Sequence, residues 1–139
     1  MKIFDCTLYY DEDLILETRL NILDKHVDKF VICESTFTHS GKEKNINFNK
    51  KDYPKFEDKI IHLVIDNDPI KKNNNQNIKT ETLRQNSIIR IEAQRNYIFR
   101  ALDNLDQNDY ILHSDNDEIP DLSNLDFVKN KAKILIFKQ

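Results

Sequence analysis

The sequence predicts an α/β domain built on a mostly parallel sheet flanked by helices. Apolar runs of strand length alternate along the chain with helical patterns. Most of those runs are continuously apolar, as in strands covered on both faces. The chain has 139 residues, enough for one domain with a real core, and 1–139 reads as a single unit.

The first strand is Ile3–Leu8. Behind it Leu16, Leu20, Leu23 and Val27 recur at helical spacing on one face, with Asp11 or Asp13 placed to cap the start. A second strand covers 30–34. The loop 35–49 contains Gly41, the only glycine in the chain. Residues 50–58 read as a short helix or turn broken by Pro54. The third strand is Ile60–Ile65, followed at 66–79 by a polar loop expected to be mobile. A long helix is predicted over about 82–105, then a strand at Tyr110–His113 and a fifth at 134–137.

Composition narrows the function classes. The net charge is −3, from 21 basic and 24 acidic residues, which gives no general pull toward nucleic acid or anionic membrane. No apolar run is long enough to span a bilayer, and no leader or anchor is visible, so a cytoplasmic location is expected. Cys6 and Cys33 lie in strand-like runs and read as small buried hydrophobes; a disulfide is a question for geometry. One glycine excludes G-x-G-x-x-G and Walker-type phosphate loops.

The segment "YILHSDNDEIP" carries the chemistry. A core strand ends at three acids, Asp115, Asp117 and Glu118, and ligands of open α/β sheets bind beyond the carboxyl ends of strands. Residues two apart in an extended segment point the same way, so Asp115 and Asp117 are expected to converge while Asn116 points elsewhere. Converging carboxylates need a positive charge between them, and Mg²⁺ or Mn²⁺ with oxygen ligands supplies it. The plain alternative is a solvated acidic turn, with Asp121 or Ser123 capping a following helix. An EF-hand loop does not fit, because Pro120 stands where its glycine is required.

The long helix adds an arginine. Ile88, Ile91, Ile98, Leu102 and Leu105 form a seam, and Arg95 falls in it. An inward arginine needs an anion: a ligand phosphate, or an aspartate whose loop it orders.

Five stretches, "MKIFDCTLYYDEDLILETRLNIL", "VDKFVICESTFTHSGKEK", "FEDKIIHLVIDN", "EAQRNYIFRAL" and "ILHSDNDEIPD", occur in this order over nearly the whole chain. Together they resemble glycosyltransferase family 17, the family of β-1,4-mannosyl-glycoprotein β-1,4-N-acetylglucosaminyltransferase. The resemblance implies a GT-A-like fold, a UDP-N-acetylglucosamine donor, a glycan or glycoconjugate acceptor, and inversion at the anomeric carbon. It implies a D-x-D motif that holds Mn²⁺ or Mg²⁺ against the donor diphosphate. Asp117 would be the direct metal ligand, supported by Asp115. Glu34, Ser35 and Arg95 would join Asp115 in donor binding. The catalytic base is not assigned: Glu118 is a weak candidate, and His113 and His39 are alternatives. Family members continue further, so the chain is expected to lack the C-terminal acceptor-binding half. Two other classes stay open: a D-x-D phosphotransferase of haloacid dehalogenase type, and a non-catalytic remnant that binds nucleotide or saccharide.

Overall fold

The computed structural model describes residues 1–70, 79–129, 132 and 134–137. Four strands, β1 (Ile3–Leu8), β2 (Lys29–Ser35), β3 (Ile60–Ile65) and β4 (Tyr110–His113), form one sheet in the order β3-β2-β1-β4. Every pairing is parallel. Helix α1 (Asp13–Leu23) joins β1 to β2, and α2 (Thr80–Tyr97) precedes β4 and runs into a 3₁₀ turn over Ile98–Ala101.

The continuous apolar runs are explained by two cores, one on each face of the sheet. Phe30 and Ile32 of β2 face Leu16, Leu20 and Leu23 of α1. Their neighbours Val31 and Cys33 face the other way, toward Ile98 and Leu102. The three α1 leucines are fully buried, and each such side chain contributes about 1.5–3 kcal/mol of burial energy. Cys6 and Cys33 are buried free thiols pushed up to about 12 by burial, so they behave as small hydrophobes.

Several expectations need correction. Residues 134–137 form no strand; Ile134 and Ile136 are exposed, while Leu135 and Phe137 pack against the α1-side core. Neither Asp11 nor Asp13 caps α1, whose cap position is Glu12 without a side-chain cap bond. Asp13 instead accepts hydrogen bonds from Tyr9 Oη at 2.5 Å and Tyr53 Oη at 3.0 Å, so buried phenols have taken the carboxylate. Val27 is buried but lies beyond the helix end at Leu23. No helix follows Pro120 among the described residues; the Asp121 carboxylate accepts from Ser123 N and Oγ and closes a turn. The polar loop expected at 66–79 falls mostly on residues 71–78, outside the described residues. No helix among the described residues is long and apolar enough to cross a membrane.

Candidate functional site

Strands β1, β2 and β3 step outward on one side of β1, and the chain then returns to place β4 on the other. The boundary between β1 and β4 is therefore the topological switch point, where crevices open beyond the carboxyl ends of strands. A cleft of about 640 Å³ lies at that edge. Leu8, Tyr9 and Tyr10 line it from the end of β1, Ser35 from the last position of β2, His39 from the loop after it, and Asp115, Asn116 and Asp117 from beyond β4. Helix α2 contributes Ile91, Gln94 and Arg95.

Residues 115–118 form a tight turn, with Glu118 N donating to Asp115 O at 3.0 Å, and not the extended segment expected. Asp115 and Asp117 are nevertheless exposed while Asn116 between them is buried. The Asp115 carboxylate receives Arg95 Nη2 at 2.7 Å. The Asp117 side chain has no protein partner among the described residues. Both polar atoms of the Asn116 amide are buried and unpaired. Orphaned buried polar groups cost roughly 1–3 kcal/mol unless an ordered water or a ligand pairs them.

Arg95 is not the inward arginine that the seam predicts: its side chain is 45% exposed and lies at the cleft. The buried face of α2 is Arg90 and Gln94, one residue off the expected register, and Ile88 is exposed. Arg90 Nε binds both Asp68 oxygens, at 2.9 and 3.0 Å, and Arg90 Nη1 donates to His39 O. Gln94 Nε2 donates to Ser35 Oγ, which itself donates to Phe37 O at 2.5 Å. Gly41 is required twice over. Its φ is +83°, and a Cβ there would sit 2.5 Å from Arg90 Nη2. The E-S-x-x-T-H-S-G-K loop is thus locked onto α2.

The structure separates Glu34 from Ser35. Ser35 lines the cleft; Glu34 does not. The Glu34 carboxylate is fully buried and accepts from Lys44 Nζ at 2.5 Å, Asn47 N at 2.8 Å and Phe48 N at 3.0 Å. Its partner is the loop that follows β2.

The inward arginine missed in the sequence is Arg19 of α1, fully buried against Asp5 of β1. Arg19 Nε and Nη2 each reach an Asp5 oxygen at 2.8 Å, a bidentate pair. Nη2 also donates to Ser114 Oγ, and Nη1 donates to the carbonyls of Asp115, Asn116 and Glu118 at 2.8, 3.3 and 3.2 Å. The signal was present: Arg19 stands within the Leu16–Leu20–Leu23 seam, and Asp5 interrupts an apolar strand.

A second cleft lies across Asp117 and is lined by His113, Glu118 and Phe137 among others. Glu118 Oε2 accepts from Asp115 N at 3.2 Å. His113 is held below the usual imidazole range by partial desolvation first and then by the Arg95 charge. It is therefore neutral near pH 7.

Among the described residues no group of three or more His, Cys, Asp or Glu forms a metal cage by itself. A hard cation that shares its shell with ligand phosphates and water needs only one or two carboxylates, and Asp117 with Asp115 fits that requirement.

A parallel α/β sheet with a cleft at its switch point, bordered by two acids and an arginine, defines a GT-A-like, Rossmann-type class of fold. Within that class, the chain belongs to glycosyltransferase family 17, whose model matches residues 1–135. No curated protein and no solved structure gives a significant match. Membership in a family of glycosyltransferases supports sugar transfer over the phosphotransferase alternative.

Proposed function

We propose that this domain binds a UDP-sugar, UDP-N-acetylglucosamine by the family resemblance, and transfers the sugar to a glycan hydroxyl with inversion. The carrying observation is the juxtaposition, at the switch-point cleft, of the unpartnered Asp117 carboxylate with the Arg95–Asp115 pair. In this reading Asp117 and Asp115 hold Mn²⁺ or Mg²⁺ together with the donor diphosphate. The metal, when bound, supplies Lewis-acid stabilisation of the charge that grows on the leaving diphosphate. Arg95 turns its guanidinium from Asp115 toward the phosphates and adds a second positive group.

Transfer forms a bond from the acceptor oxygen to the anomeric carbon and breaks the bond from that carbon to the diphosphate. The acceptor proton passes to a base. Glu118, which lines the second cleft across Asp117, is the candidate for that base. Ser35 and the cleft wall from β1 are the candidate contacts for the nucleoside. Glu34 acts one step back, holding the loop that carries Ser35's neighbours.

The test is UDP release from UDP-N-acetylglucosamine in the presence of an N-acetylglucosamine- or mannose-terminated acceptor. Activity should require Mn²⁺ or Mg²⁺, vanish with a chelator and return when metal is restored. Undiminished release by the Asp117→Asn variant contradicts the assignment.

A further inference from the structure

We propose that Arg19 and Asp5 are positioning residues for the acid loop, setting its ligand-binding geometry from beneath. The inference rests on the donor-binding reading of that loop. The guanidinium has five N–H donors, and its contacts engage all three nitrogens. Two bonds tie it to Asp5 in the centre of the sheet, so its plane is fixed by β1. The remaining donors collect the carbonyls of Asp115, Asn116 and Glu118 together with Ser114 Oγ.

Carbonyls drawn inward at three of four successive residues determine the path of the turn. The carboxylates of Asp115 and Asp117 are left exposed at the cleft. Ser114 reinforces the turn by donating from Oγ to Glu118 O at 2.8 Å, and Thr7 Oγ1 of β1 holds Ser114 O at 3.1 Å. The fork geometry of arginine is what allows this, since a lysine point charge cannot bind Asp5 side-on and also span three carbonyls. Among the described residues Arg19 does not line the switch-point cleft and reaches its acid loop through backbone carbonyls and Ser114 Oγ, so its role is orientation. Groups that orient metal-binding side chains in this way typically change metal affinity by roughly 10- to 100-fold when removed.

The test separates positioning from folding. Asp5→Leu/Arg19→Met removes both charges of the buried pair together, so that no uncompensated charge remains, while the three loop carbonyls lose their donor. Affinity for UDP in saturating Mn²⁺ is then measured by calorimetry, well below the thermal midpoint of each protein. The expected result is a variant that melts cooperatively but binds UDP roughly 10- to 100-fold more weakly. Arg19→Lys, which keeps the charge beside Asp5, provides a second measure and should weaken binding in the same direction. Wild-type affinity in either folded variant overturns the inference and leaves the donor-binding reading intact. Failure of the unmodified protein to bind UDP with Mn²⁺ overturns both.

Discussion

At the scale of single residues, the polar groups under the sheet edge decide how the site is built. His62 illustrates the electrostatic consequence. Its Nε2 is buried and unpaired, 3.8 Å from Glu34 Oε2. Desolvation lowers its pKa, with Glu34 opposing. The unfolded chain therefore takes up a proton near pH 6.5 that the folded protein resists, so this contribution to stability is complete above that pH and declines as pH falls. His113 carries the same sign. The urea midpoint should fall between pH 7 and pH 5, and the His62→Gln variant should show a shallower fall; an unchanged slope in the variant contradicts the assignment. Gly41 gives a second residue-scale prediction. Gly41→Ala places a side chain at φ +83° and against the Arg90 guanidinium, and should cost about 1–3 kcal/mol by urea denaturation.

Residue identities at the site were unevenly legible. Asp115 and Asp117 stood out because like charges at the end of an apolar strand are costly without a partner. Arg19 and Asp5 did not, because each is a single charged position inside an apolar pattern, and a pattern read for its hydrophobes passes over the exceptions. Glu34 was visible as a strand-end acid. That its carboxylate is consumed by Lys44, Asn47 and Phe48 depends on how the 35–49 loop folds back, and strand-end position carries no information about that.

At the scale of elements, all four observed strands were readable to within a residue, because continuous apolar runs of that length have few alternatives in a covered sheet. Helix α2 was readable as a helix but not in register. Its buried face is polar, with Arg90 and Gln94 bonded to Asp68, Ser35 and the His39 carbonyl, so a search for an apolar stripe settled one residue away. The predicted fifth strand failed for a related reason. Residues 134–137 are apolar, yet only Leu135 and Phe137 reach the core. The α2 register has a measurable consequence. Arg90→Ala removes the partner of Asp68 and a bond to His39 O, whereas Arg95→Ala breaks only a half-exposed pair. The first should destabilise by roughly 3–5 kcal/mol and the second by about 1 kcal/mol or less in urea unfolding. Equal effects would contradict the register. In the proposed function it is Arg95→Ala that impairs UDP binding.

At the scale of the whole molecule, the strand order turns these local features into a site. Because β4 returns beside β1, the acid loop is brought next to the end of the first strand, with Arg19 beneath it and Arg95 above. The chain belongs to glycosyltransferase family 17, and its switch-point cleft lies at this edge of the sheet. The most direct test is a calorimetric titration of UDP into the protein with Mn²⁺ present, compared with Asp117→Asn. Saturable binding in the unmodified protein, weakened at least tenfold by the substitution (about 1.4 kcal/mol), is the predicted result. No binding by the unmodified protein, or equal affinity in Asp117→Asn, would contradict the account.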